Sequence, residues 1–216
     1  MHHPLNTASP YKPTSDVLPT GHPQLDVALG VGGLARGRFV EFQSSSPLAN
    51  ISLALRAAAE TQARGGVVAF IDAQHTLDVA HARSLGVRIE ELLISQPDDP
   101  LMALEIARHI ARSGAVDLII MESLGAIAAA APPERPRAVS EALRGLWYSA
   151  SRSRTCILFT TTPHAGVGDG MSTSLRYLSS VRCLVTRVGS HVLIKVGKNQ
   201  FAPAFAEAAI ELQPLG

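Results

Sequence analysis

The sequence predicts one α/β domain with a mostly parallel, twisted central sheet, helices on both faces and antiparallel strands at its C-terminal end. Short apolar runs alternate with helical patterns, and the runs lack polar alternation, which is typical of strands buried on both sides. With 216 residues, 46% of them hydrophobic, the chain is long enough for one substantial core. The Pro-, Ser- and Thr-rich opening, residues 1–18, is predicted to be a weakly ordered arm, and residues 19–216 the domain.

The predicted elements follow this rhythm in order. A first βαβ unit is predicted from a strand at 39–42, a helix over about 52–63 and a strand at 67–71. The same alternation continues with a helix at 77–85, a strand at 92–94, a helix at 101–113, a strand at 118–121, a helix at 138–151 and a strand at 156–159. The last three strands, at 183–186, 191–196 and 209–212, are predicted to be antiparallel, because Gly189-Ser190 is typical of a hairpin turn.

Several classes of protein are disfavoured. No apolar stretch approaches the length of a membrane span and the N-terminus lacks a secretory signal, so we expect no membrane association and a cytoplasmic location. Cys156 and Cys183 lie in apolar runs without C-x-x-C spacing, which predicts two buried thiols. The eight histidines are scattered without paired ligand spacing, so no metal is expected.

Charge is distributed unevenly along the chain. Residues 1–130 carry 9 Lys and Arg against 13 Asp and Glu, whereas residues 131–200 carry 10 against 3. This basic segment is interpreted either as a face for phosphates or an acidic protein partner, or as a solvated surface. Candidate DNA or partner contacts are Arg135, Arg137, Arg144, Arg152, Arg154, Arg176 and Lys198. Trp147 and Tyr148 adjoin in the predicted helix, so one is expected in the core and the other exposed.

The segment 43–51 lies between the first strand and the first helix, where a phosphate-binding loop would be expected. Such a G-x-x-x-x-G-K-[ST] loop needs glycines for close backbone approach, a Lys to neutralise phosphates and a hydroxyl for Mg²⁺. Ser44 and Ala49 stand at the glycine positions, Asn50 replaces the Lys and Ile51 the hydroxyl. The sequence therefore predicts that this segment binds no nucleotide.

Several ordered motifs carry a resemblance to a known family. They include Thr20-Gly21, the run 25–34, Phe-Ile-Asp-Ala-Gln-His at 70–75, Ser-Gln-Pro-Asp at 95–98, Arg-Ser-Gly-Ala-Val-Asp at 112–117 and Lys198-Asn199. From about residue 17 to residue 213, the chain resembles the core domain of the RecA family of bacterial recombinases. The resemblance implies a RecA-like fold of the P-loop NTPase type, with a degenerate Walker A motif.

The departures from the family pattern fall on positions that the resemblance assigns to ATP chemistry. Gln74 stands where the family has the carboxylate that activates water, and an amide cannot act as a base near neutral pH. Glu122 replaces a metal-side Asp. Of two lysines that reach a neighbour's nucleotide, one matches Lys198 and the other falls on Gln200. The expectation is a protein that is not an enzyme, with no catalytic residue and no cofactor; a surviving ATPase is the alternative.

The devices for assembly and DNA binding also differ from those the resemblance implies. The Gln that couples nucleotide state to DNA is replaced within Thr161-Thr162, and the two DNA-binding loops are shortened to about 128–137 and 164–171. The chain is expected to lack the family's N-terminal polymerising helix and its C-terminal lobe. These differences favour a scaffold that binds without turning over nucleotide.

Three functional hypotheses follow. The first is a non-hydrolysing accessory protein of the bacterial SOS response, similar to the ImuA type, which binds RecA, a translesion polymerase-like partner, or both. The second is an ATP-independent protein of repair or recombination that binds single-stranded DNA weakly through the basic segment, in which few aromatics are available for stacking. The third is an inhibitor that caps the filament of another protein.

Overall fold

The computed structural model describes residues 16–122, 136–163 and 170–211. Its strands in chain order are β1 (Val17–Leu18), β2 (Leu34–Ala35), β3 (Phe39–Ser44), β4 (Val68–Asp72), β5 (Leu92–Ser95), β6 (Leu118–Glu122), β7 (Cys156–Thr161), β8 (Val181–Val188), β9 (His191–Asn199) and β10 (Glu207–Glu211). Its helices are α1 (Pro23–Ala28), α2 (Pro47–Ala63), α3 (Val79–Ser84), α4 (Pro100–Ser113), α5 (Pro136–Ser153) and α6 (Gly170–Leu178), with a 3-10 turn at Ile89–Glu91.

Eight strands form the central sheet in the order β10-β9-β8-β3-β7-β6-β4-β5. Strands β3 to β8 pair with one another in parallel, and β9 and β10 extend the sheet in antiparallel fashion. Gly189 has a φ of 62° at the turn between β8 and β9, a conformation that favours glycine. The mostly parallel sheet with antiparallel C-terminal strands confirms the predicted fold class.

The core lies on both faces of this sheet, because successive strand residues point to opposite sides. On one face Phe42, Phe70 and Leu158 belong to a cluster that includes the buried alanines and leucines of α2. On the other face Phe39 and Phe159 meet edge to face, with ring centres 5.0 Å apart, in a cluster with α4 and α5. Burial on both faces explains the unbroken apolar runs of these strands.

The observed elements differ from the predicted ones mainly at the first helix and the N-terminus. Helix α2 begins at Pro47 rather than near residue 52, since proline is well suited to a first helical turn. Strand β1 lies within the predicted arm and pairs with β2, so the ordered domain begins earlier than residue 19. The rest of that arm, residues 1–15, lies outside the described residues. Helices α1 and α6 were not among the predicted elements.

Single residues agree with the sequence-based expectations. Cys156 and Cys183 are buried free thiols, and burial raises the pKa of each to about 12. Trp147 packs against the core while Tyr148 is 58% exposed. Within the described part of the chain, no helix is both long enough and apolar enough to cross a membrane.

Candidate functional site

The connection between β3 and α2 is short and closed by its own hydrogen bonds. Ser44, the last residue of β3, is fully buried, and its Oγ accepts a hydrogen bond from the Ser46 backbone N–H at 3.0 Å. Ser46 precedes Pro47, the first residue of α2. Ala49, Asn50 and Ile51, predicted as part of a loop, therefore lie in the opening turns of this helix. The loop interpretation of residues 47–51 was wrong, because the helix starts earlier than its apolar pattern indicates.

Asn50 points into the protein. It is 2% exposed, and its Nδ2 donates to the carbonyl oxygen of Thr161 on β7 at 2.8 Å. The carbonyl can only accept, so this contact determines which end of the amide faces β7. The remaining atom, Oδ1, is buried without a hydrogen-bond partner in the described residues. Asn50 therefore offers an acceptor where phosphate binding would need a cation or a donor.

Thr161 also joins a buried ionic network. Its Oγ1 donates to Glu41 Oε1 at 2.9 Å, and Arg182 Nε donates to Glu41 Oε2 at 2.5 Å. The side chain of Glu41 is 5% exposed and that of Arg182 20%. Because these residues come from β3, β7 and β8, the network ties the three central strands together next to Asn50.

Lys198 lies opposite Arg182 in the pairing of β8 and β9. Its Nζ donates to the carbonyl oxygens of Arg176 and Tyr177, each at 3.0 Å, in the last turn of α6. Burial, and then the nearby charge of Arg182, lower the pKa of Lys198. A cation at this position satisfies the helix C-terminus, so Lys198 already has an intramolecular role.

Two acidic side chains, at the C-terminal ends of β4 and β6, also accept hydrogen bonds from the protein. Asp72 and Glu122 lie opposite each other in the pairing of β4 and β6, and both are buried. The carboxylate of Asp72 accepts hydrogen bonds from the backbone N–H groups of Thr76 and Leu77, at 2.9 and 3.1 Å, and from Gln96 Nε2 at 3.0 Å. The carboxylate thereby holds the turn that follows β4.

The two glutamine positions are exposed. Gln74 lies in the turn after β4, and Gln200 follows β9, where its backbone N–H donates to the carbonyl oxygen of Ser180. His75, next to Gln74, has a φ of 57°, and its Nε2 lies 3.0 Å from Asp98 Oδ1. His75 therefore has a partner at the surface of the protein.

These residues do not fit a nucleoside triphosphate with Mg²⁺. The position of the phosphate-binding Lys holds an inward-pointing amide with an unpaired acceptor, and no hydroxyl stands at Ile51. Throughout the described ranges, no group of three or more His, Cys, Asp and Glu side chains is placed to hold a metal ion.

The predicted basic contacts are largely paired rather than gathered on one free face. Arg137 pairs with Glu141, Arg154 pairs with Asp16, and Lys198 donates to carbonyl oxygens of α6. Arg135 and most of both predicted DNA-binding loops lie outside the described residues. Arg176 is exposed on α6, and Arg144 and Arg152 lie eight residues apart on α5, with Tyr148 midway between them on the same helical face.

Two basic residues were missed in the sequence. Arg108 and Arg112 come from α4, in the acidic part of the chain, yet both line a cleft with Tyr148 and Arg152 of α5. Charge was counted over segments of the chain, and this count placed the arginines of α4 and those of α5 in different segments. The available signal was the spacing of four residues between Arg108 and Arg112, which places both on one face of a helix.

Known proteins resemble this chain over most of its length. A family model described as the RecA N-terminal domain matches residues 6–213. Similar proteins include Protein RecA 1 of Myxococcus xanthus, 43% identical over 91% of this chain and 66% of the relative. Others are Protein RecA of Geobacter metallireducens, 37% identical over 93% of this chain and 67% of the relative, and Protein RecA of Thermus thermophilus, 39% identical over 91% and 66%.

This chain spans about two thirds of the length of the curated relatives that it matches. The match includes the whole of the central sheet, from β3 to β10. The order of the strands in the sheet and the motifs found in the sequence agree with this family match. The chain belongs to the RecA family.

Proposed function

We propose that this protein is a non-hydrolysing RecA-family accessory protein that acts by binding other proteins. Its partners would be RecA, a translesion polymerase-like protein, or both, in the manner of the ImuA type during the SOS response of the bacterial cytoplasm. Membership of the RecA family supports a role in DNA repair and recombination.

The observation that carries the proposal is the inward orientation of Asn50. Phosphoryl transfer depends on positioning and on neutralising phosphate charge, so a site must supply donors and cations. Asn50 instead donates its amide to Thr161 and leaves a buried acceptor beside the helix start. Gln74 in place of a carboxylate removes the expected general base as well. The scaffold is kept while the groups for turnover are replaced, which favours a binding role.

Nucleotide calorimetry tests the first half of the proposal. Mg²⁺-ATP titrated into the protein should give no binding heat, and phosphate release should match the no-protein blank. A RecA protein titrated in parallel is the positive control. Saturable ATP binding or release above the blank would show that the ATPase alternative is correct.

Pull-down with purified proteins tests the second half. The tagged chain should retain RecA or the polymerase-like partner from a mixture that contains no ATP. Retention of neither partner would remove the accessory role. Retention of single-stranded DNA alone, falling steeply with salt, would favour the DNA-binding alternative instead.

A further inference from the structure

A polar cleft lies between α4 and α5, at the opposite end of the parallel strands from Asn50. Its volume is about 560 Å³, and its lining includes Arg108, Arg112, Gly145, Tyr148, Ser149 and Arg152. Helix α4 leads into β6 and α5 into β7, so the ends of both helices lie where those strands begin. The β3–α2 connection lies where β3 ends, and β3, β6 and β7 run parallel. The cleft is therefore separate from the degenerate nucleotide position.

Gly145 lines the cleft and lets the Arg108 side chain lie close to α5. A Cβ at this position would meet Arg108 Cδ at 3.3 Å, a tight contact. Gly145 lies inside α5, and its φ is not in the positive range that would require a glycine. A larger residue at position 145 would occupy the cleft without altering its charge.

The charge of the cleft is positive. Among the residues that the structure describes, its lining contains three guanidinium groups and no carboxylate. Arg108 is held by Glu105, with Nε 3.0 Å and Nη2 2.5 Å from Oε2. Arg112 is exposed and has no ion pair or hydrogen bond within the described part of the chain. Arg152 donates to the Tyr148 hydroxyl at 3.2 Å. An anion that enters the cleft would meet an excess of positive charge.

The geometry favours carboxylates over nucleic-acid bases. Stacking of bases needs free aromatic faces, and Tyr148, the one aromatic residue among the described lining residues, has the Arg152 guanidinium 5.8 Å from its ring centre. Guanidinium groups bind carboxylates through paired hydrogen bonds. Arg108 and Arg112 are separated by about 6 Å along α4, close to the roughly 6.5 Å between alternate residues of an extended chain.

We propose that the cleft formed by Arg108, Arg112, Tyr148 and Arg152 binds an extended, acidic peptide segment of a protein partner, with carboxylates at alternate positions. This inference deepens the proposed function and rests on it for the existence of a partner. It assigns the partner contact to the α4–α5 side of the molecule. The contacts predicted from the sequence included Arg152 there, but not the two arginines of α4.

Fluorescence anisotropy with a labelled peptide in which glutamate alternates with serine tests the proposal. The wild-type protein should bind it at low salt, and Arg112→Glu should weaken binding by about tenfold or more. Gly145→Leu should weaken it to a similar degree without any change of charge. Arg187→Glu makes the same charge change at an exposed position of β8 and should alter the affinity by less than about twofold.

Three results would overturn the proposal: no binding by the wild type, an equal loss with Arg187→Glu, or stronger binding of a short oligothymidylate that displaces the peptide. Circular dichroism melts establish that each variant is folded. Arg112→Lys keeps the positive charge but loses the planar guanidinium group, so it should weaken binding less than Arg112→Glu.

Pull-down with the Arg112→Glu variant separates this inference from the proposed function. Loss of a partner that the wild type retains supports both. Retention at wild-type levels overturns the cleft while the accessory role stands. Peptide binding by a wild-type protein that retains neither partner supports the cleft and overturns the accessory role.

Discussion

Asn50 links α2 to β7 through one buried hydrogen bond to the carbonyl oxygen of Thr161. Asn50→Ala should lower the free energy of unfolding by about 1–3 kcal/mol, because the carbonyl loses its donor in a buried place. Asn50→Asp should cost more, since it sets a carboxylate against that carbonyl. Urea unfolding measures both, with the exposed Ser45→Ala as control. An unchanged midpoint for Asn50→Ala would show that the bond contributes nothing to stability.

Glu41 and Arg182 form a largely buried ion pair inside the sheet. Glu41→Ala should destabilise the protein by about 3 kcal/mol, because it leaves a guanidinium uncompensated, whereas replacing both residues with leucine should recover most of the loss. Chemical unfolding of Glu41→Ala, Arg182→Ala and the double leucine variant measures this. Glu141→Ala, which breaks the exposed pair with Arg137, should have little effect. A double variant less stable than either single one contradicts the prediction.

The start of α1 contains a titratable group with a shifted pKa. The carbonyl oxygen of His22 accepts hydrogen bonds from the N–H groups of Leu25 and Asp26, and its own N–H donates to Thr20 Oγ1. Burial, and then the charge of Arg56, lower the pKa of His22 from 6.5 to about 4. The folded protein therefore resists protonation that the unfolded chain accepts.

The pH dependence of stability follows from this difference. Since the unfolded state binds the proton more readily, the contribution of His22 is fully present above about pH 6.5 and is lost as the pH falls toward 4. The loss of stability between pH 7 and pH 5, measured by urea unfolding, should be smaller for His22→Gln than for the wild type. Equal losses in the two proteins would contradict the assigned pKa.

At the level of the elements, the pattern of apolar residues predicted every strand of the central sheet but not every helix boundary. Strands β3, β4, β6 and β7 are buried on both faces, so their composition alone distinguishes them, whereas the edge strand β5 exposes Leu93 and Ile94. Helix α2 was predicted to begin too late, because its first turn carries Pro47 and Asn50 rather than a regular apolar stripe. The short α1 and the pair β1–β2 have too few residues for a periodic signal.

The whole molecule is predicted to unfold as one unit, and its two thiols report on this. Cys156 on β7 and Cys183 on β8 are buried with pKa values raised to about 12, so the reactive thiolate is suppressed in the native state. In the single-cysteine variants Cys156→Ala and Cys183→Ala, labelling by Ellman's reagent should follow the global urea transition. Earlier labelling of Cys183 would mean that the C-terminal strands open separately.

The sequence by itself determined the fold class and the family, and it predicts the loss of phosphate-binding chemistry, because these depend on residue types and their order. Only the tertiary structure decided where the affected side chains point. Asn50 and Thr161 are 111 positions apart, and their contact depends on how α2 packs against β7. Likewise Arg112 and Arg152 belong to segments of opposite average charge and line one cleft only because α4 and α5 pack side by side. Local patterns predict elements, whereas contacts between distant segments arise from packing of the whole chain.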